Sequence, residues 1–429
     1  MKRFFLAALA TLLCSDAVSA QAPVARQSPS TAITQSTATP ELSSTQQFGD
    51  EAKRKQITRK GIDYLLEKGQ AEDGSFSKQL NPAITSLCLS ALLANDVAVS
   101  DPRVQKGLAF VESHIQPDGG IYKKGSNLRN YETSVAIMCL VRARDALKKT
   151  SASAEQFGKY DVTIERAAGF LKGLQWDEGE NHGPESDFHG GQGYGSHQRP
   201  DLSNTQFFLD ALKASGEPVD SDAMKKALIF VSRCQNLPSE HNEMDFAKNI
   251  TPGEEGGMIY TPAGGGETKV EPAKGAAKAG ATKVETKGDE SVDNPNDAPQ
   301  SGLRSYASMT YAGLKSFLYA GVSKDDQRVQ AAMTWISKHY DLESNPGLGQ
   351  QGLFYYYHVF GKTMNAMGEN EITDAAGVQH DWRKDLTAQL AKRQKADGSW
   401  TNAENSARWY EGDPNLVTAY SLLALSYCE

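Results

Sequence analysis

The feature that most constrains how this chain can fold is a short motif that occurs three times: QAEDGSF (Gln70 to Phe76), QPDGGIY (Gln116 to Tyr122) and QKADGSW (Gln394 to Trp400). Each copy has Gln first, Gly at the fifth position and an aromatic at the seventh, and each stands between two helical segments. The glycine supplies the left-handed conformation that ends the first helix, the Asp accepts from nearby amides, and the aromatic packs under the next hairpin. The motif is a joint between repeated units, and no chemistry is assigned to it.

Amphipathic first helices are expected to begin near Thr58, Val104, Thr163, Ala223, Arg328 and Arg383. Val104, Leu108, Val111 and Ile115 show the apolar stripe. Each first helix is followed by a more apolar segment: PAITSLCLSALLA, YETSVAIMCLVRA, DLSNTQFFLDALKA, SYASMTYAGLKSFLYA, GLFYYYHVFGKTM and DPNLVTAYSLLALSY. Helices that are apolar nearly all round must be covered on all sides, so the six second helices belong inside a ring of first helices. The predicted class is all-α, a six-hairpin α/α toroid over 53–429, with an open solenoid as the alternative arrangement. The joints of the third and fourth hairpins, QWDEGE and GGMIY, read as degenerate copies.

Outside that plan lie three segments. Residues 1–20, MKRFFLAALATLLCSDAVSA, carry two cations, an apolar run and small residues at Val18 and Ala20, the pattern of an export signal, so a periplasmic or secreted location is expected. Residues 21–52 read as a disordered linker rich in Ser, Thr, Ala and Gln, and 262–300 as a low-complexity insert. No later apolar run reaches the roughly 20 residues that span a bilayer. A net charge of -8 lacks the basic excess that nucleic acid attracts. Beyond the signal, Cys88, Cys139, Cys234 and Cys428 form no C-x-x-C pair, and buried free thiols are expected rather than a disulfide.

The Q-x-x-D-G-x-W/F joint between paired helices resembles the repeat of the prenyltransferase and squalene oxidase repeat family, which includes squalene and hopene cyclases and protein prenyltransferase β subunits. The resemblance covers about Lys53 to Glu429 and implies a toroid with a central ligand cavity lined by the starts of the inner helices. Cyclases of that family carry P-D-x-D-D-T, whose middle Asp is the proton donor. Here PDLSNT keeps Pro200, Asp201 and Thr205 but has Ser203 and Asn204 in place of the second and third Asp. A serine hydroxyl is too weak an acid to protonate an alkene, so terpene cyclisation is not expected. The prenyltransferase zinc ligands are also missing, since no D-x-C occurs.

Catalytic candidates are Asp201, Tyr356, His358 and Asp413, the Tyr356 and His358 pair being suited to acid-base work of the polysaccharide lyase kind. Cavity candidates are Asp201, Ser203, Asn204, Tyr306, Thr310, Tyr311, Tyr355, Tyr356, His358, Asp413 and Asn415. Against these, Asp201 and Asp413 also suit helix caps, Asp413 with Pro414 at the first helical position. No cofactor and no metal are expected, and Asp187, His189 and His197 match no ligand spacing. The expected function is binding of an apolar, isoprenoid-like or glycan ligand in the cavity, with a non-catalytic scaffold for a partner protein as the alternative.

Overall fold

A computed structural model describes residues 44–77, 82–150, 153–195, 198–270, 302–402 and 409–429. The segment 1–20 and most of 21–52 lie outside the described residues, but helix begins at Ser44, inside the stretch expected to be linker. Among the described residues thirteen α-helices follow in chain order: α1 Ser44–Tyr64, α2 Ala83–Ala94, α3 Pro102–Glu112, α4 Arg129–Lys148, α5 Ala154–Lys172, α6 Leu202–Ser215, α7 Asp222–Arg233, the single turn α8 Asp245–Lys248, α9 Ala307–Tyr319, α10 Gln327–Lys338, α11 Leu353–Met367, α12 Trp382–Arg393 and α13 Pro414–Leu425. A two-stranded antiparallel hairpin, β1 Glu371–Thr373 and β2 Gln379–Asp381, joins α11 to α12 and was not anticipated.

Packing follows the apolar pattern. In α2, every residue from Ala83 to Leu92 is buried, and in α13 every residue from Leu416 to Leu425. The outer helices bury one stripe each, such as Met224, Ala227, Phe230 and Val231 of α7. The inner helices contact one another in the cycle α2, α4, α6, α9, α11, α13 and back to α2, so the ring is closed and the solenoid alternative is set aside. The outer helices α5, α7 and α12 each rest against two neighbouring inner helices. No helix among the described residues is long and apolar enough to cross a membrane. The four cysteines Cys88, Cys139, Cys234 and Cys428 are buried and free.

The joints work through backbone contacts. Gln70 donates its side-chain amide to Gly74 O at 3.1 Å and to Arg103 O, at the start of the next outer helix, at 2.8 Å. Gln175 bridges Gly190 O and Ala223 O in the same way, Gln235 bridges Gly256 O and Arg328 O, and Gln394 bridges Gly398 O and Ile57 O. The last of these ties the end of the chain to its first helix. Gly74 (φ +92) and Gly398 (φ +91) are left-handed, and a side chain on either would press into the backbone carbonyl of Lys106 or Lys60 on the adjoining outer helix. As expected, Asp73 and Asp397 accept from the amide and hydroxyl of Ser75 and Ser399.

Three expectations about the joints and insert need correction. The third and fourth joints are complete rather than degenerate: their glycines are Gly190 and Gly256, separated from Gln175 and Gln235 by inserted loops. In QPDGGIY the joint glycine is Gly119 (φ +94), so the motif is one residue short and Ile121, not Tyr122, takes the aromatic's place. Gln116 accordingly bonds locally, to His114 O and Tyr122 O. Residues 262–270, expected to open the surface insert, pack on the body: Glu267 pairs with Thr261 and Val270 is buried.

Gly398→Ala should lower stability by about 2 kcal/mol or more, from the left-handed penalty and the collision with Lys60 O. Gly158→Ala in α5, where a methyl group meets nothing within 4 Å, should raise it by ~0.5–1 kcal/mol. Equilibrium denaturation of both variants checks the pair of signs.

Candidate functional site

A fixed register carries the joints into the cavity. Two residues after each joint glycine, a backbone N–H donates to a threonine in the first turns of the following inner helix: Phe76 to Thr85, Ile121 to Thr133, Gln192 to Thr205, Met258 to Thr310 and Trp400 to Thr418, all at 3.0–3.1 Å. These bonds fix how far each inner helix is rotated about its axis. The residue two before the threonine then faces inward on four helices: Tyr131, Ser203, Ser308 and Leu416 all line one cavity of about 320 Å³. Loops add Tyr194 and Tyr260, each four residues after a joint glycine, because Asn130 N bonds to Tyr194 O and Leu202 N to Tyr260 O.

Aromatic rings make most of this cavity. Tyr131, Phe207, Tyr355 and Tyr420, from α4, α6, α11 and α13, lie edge to face or tilted at centroid separations of 5.1–6.2 Å, and the Tyr131 and Tyr420 hydroxyls are 3.3 Å apart. Tyr306, Trp409 and Tyr410 add further rings to the wall. Trp409 and Tyr410 are consecutive non-glycine residues at φ +59 each, a conformation that costs on the order of 1–3 kcal/mol per residue. No Asp, Glu, Lys or Arg side chain lines the cavity among the described residues. Burial raises the Tyr131 phenol to about 12, so it stays protonated.

Of the residues singled out in the sequence, Ser203, Asn204, Tyr306 and Tyr355 line the cavity. Asp201 sits behind its wall. It caps α6, one carboxylate oxygen accepting from Asn204 N and the other from Asn204 Nδ2, both at 2.8 Å, and the Tyr260 hydroxyl also bonds to it. Burial pushes this carboxyl up to about 6 against those bonds.

The remaining candidates are turned elsewhere. Tyr356 donates to Asp341 O at 2.9 Å and packs on Tyr311 and Phe360. Tyr311 is wholly buried, and Thr310 is occupied by the joint bond and by Tyr306 O. Asp413 caps α13 and accepts from Ser77, while Asn415 donates to Gly69 O and Phe76 O. His358 lies below the aromatic floor, stacked on Tyr420 at 5.5 Å, its Nδ1 without a partner among the described residues; burial, with Lys362 and Lys315 nearby, holds it well below the usual imidazole range. Tyr356 and His358 therefore form no acid-base pair on the cavity. Asp187 accepts from Gly264 N and His189 bonds His182 O, while His197 lies outside the described residues. Among the described residues no three His, Cys, Asp or Glu side chains converge as metal ligands would.

Sequence reasoning missed Tyr131, Tyr194, Phe207, Tyr260, Ser308 and Tyr420. The recurring threonine in AIT, YET, SNT, SMT and LVT was the signal that would have aligned the inner helices and picked out four of the lining positions.

No protein-family profile matches the chain, and no curated protein matches it in sequence. Similar solved structures include the GH76A alpha-1,6-mannanase from Salegentibacter sp. HEL1_6, at 9% identity and TM-score 0.49, covering 89% of this chain and 100% of that one. A second is a wild-type glycosidase at 12% identity and TM-score 0.45, covering 90% and 98%. A third is the type II terpene cyclase MstE_D109A from Scytonema, in complex with merosterolic acid A, at 12% and 0.31, covering 89% and 98%. The chain is an α/α toroid.

Ionising Asp201 costs stability. With its folded pKa raised to about 6 from the ordinary 3.8, both states are protonated at low pH and the cost is absent. It grows as pH rises from about 4 and is complete above about 6, on the order of 2–3 kcal/mol. The stability difference between Asp201→Asn, which keeps a capping oxygen, and the native chain should therefore move in favour of the variant between pH 4 and pH 7 in thermal melts.

Proposed function

We propose that this chain is a binding toroid of the prenyltransferase and squalene oxidase repeat type, which holds a small, mainly apolar, isoprenoid-like ligand in the aromatic cavity without protonating it. One observation carries the reading. The position at which the cyclases it resembles keep their proton donor is Ser203, which lines the cavity, whereas the nearest carboxyl of the motif, Asp201, has both oxygens committed to Asn204. The place for an acid is retained and the acid is not. A glycan is the less favoured ligand, since no charged side chain lines the cavity and Asn204 is the one amide on its wall among the described residues. Export, proposed from residues 1–20, would put the toroid in the periplasm or outside the cell, and N-terminal sequencing of protein recovered from that compartment should begin at Gln21.

Calorimetric titration with a C13 isoprenoid hydrocarbon, 2,6-dimethylundeca-2,6-diene, should give saturable binding to one site. Phe207→Ala and Trp409→Ala should each weaken it by roughly tenfold, with the far-ultraviolet spectrum unchanged. Incubation with squalene or oxidosqualene should return no cyclic product. Failure of the hydrocarbon to bind would remove the proposal, and cyclic products would show that Asp201 reaches the ligand after all.

A further inference from the structure

Below the aromatic floor, three inner helices bury a cluster of charge. Asp210 of α6 accepts through one oxygen from Lys315 of α9 and from Lys362 of α11, each at 2.8 Å. Asp210 and Lys315 are almost fully inaccessible, at 1% side-chain exposure each. Lys315 also donates to the Gln206 side-chain carbonyl. From there the network climbs to the cavity: Gln206 Nε2 donates to the Tyr355 hydroxyl at 3.3 Å, and the Tyr355 and Ser203 hydroxyls are 3.1 Å apart.

The direction of every bond in this chain follows from its lowest member. An ammonium group has only hydrogens to offer, so the Gln206 carbonyl must face Lys315 and its NH₂ must face Tyr355. Tyr355 therefore receives a hydrogen from below. The two hydroxyls above carry two hydrogens, and the bond between them uses one. The other has no protein acceptor among the described residues and is left for the cavity. Had the amide been reversed, Tyr355 would donate downward and Ser203 would donate to Tyr355, leaving only lone pairs exposed. Burial lowers Lys315 to about 8, which leaves it mainly protonated at neutral pH.

We infer that Lys315, acting through Gln206, sets the Ser203 and Tyr355 pair as a hydrogen-bond donor, so that the cavity selects an apolar ligand bearing an acceptor oxygen such as a carbonyl or ether. Gln206 and Lys315 are positioning residues, and Ser203 and Tyr355 are the ligand contacts. The inference rests on the binding reading above and names the ligand's polar group.

Geranylacetone and 2,6-dimethylundeca-2,6-diene differ only in a carbonyl against a methylene. The native chain should bind the ketone roughly tenfold more tightly, the worth of one hydrogen bond. Ser203→Ala and Tyr355→Phe should each keep that preference, because either hydroxyl alone still has a hydrogen to give, and the double variant should lose it. Gln206→Glu is the sharpest arm. The new carboxylate can only accept, from Lys315 below and Tyr355 above, so the pair turns over and the ketone should lose its roughly tenfold advantage while the hydrocarbon binds as before. Equal affinity of the native chain for both ligands, or an equal fall for both in Gln206→Glu, would overturn the inference while leaving the binding toroid standing. If the hydrocarbon does not bind the native chain, the binding reading itself fails.

Discussion

Everything in this toroid depends on a glycine set against a carbonyl. At each complete joint the glycine backbone lies so close to the next outer helix that no side chain fits between them, and a glutamine amide bonds both partners. The neutral amide suits this role because its NH₂ can satisfy two carbonyls at once without burying charge. Four of the six joints repeat this contact, and the last of them, the Gln394 bond to Ile57 O, closes the ring. The following threonines pass this register inward, so the starts of the inner helices converge on a common cavity.

The interior beyond that cavity is unusually polar for a helical core. Asp210 with Lys315 and Lys362 leaves one more cation than anion at the axis. Buried ion pairs recover their desolvation cost only with good geometry and further hydrogen bonds. Here the additional partner is Gln206, and that obligation connects the buried charge to the ligand wall. A helix core filled only with leucine would close the ring equally well, but it would have no means of imposing donor character on the cavity.

Four of the lining residues, Ser203, Asn204, Tyr306 and Tyr355, could be read from the chain, though not the orientation of the helices that carry the rest. The motif PDLSNT located the start of α6 and the exposure of Ser203 beside a capping Asp201. The run Tyr355, Tyr356, Tyr357 and His358 promised a cavity group, yet successive helical residues point about 100° apart. Of these four, Tyr355 lines the cavity, while Tyr356 and Tyr357 reach outward to the carbonyls of Asp341 and Leu342. Tyr194 and Tyr260 were hidden because inserted loops separated their joint glycines from Gln175 and Gln235.

By itself the sequence determined the six hairpins, the apolar inner helices and a hydroxyl rather than a carboxyl at Ser203, because periodicity, turn chemistry and residue identity are local properties. It could not determine which face of each inner helix meets the axis, nor that Lys315 would stand under Gln206 and Gln206 under Tyr355. Those residues come from α9, α6 and α11, and only closure of the ring brings them together. The polarity of the cavity is a property of that meeting, because hydrogen-bond direction is set by the partner and not by the residue alone.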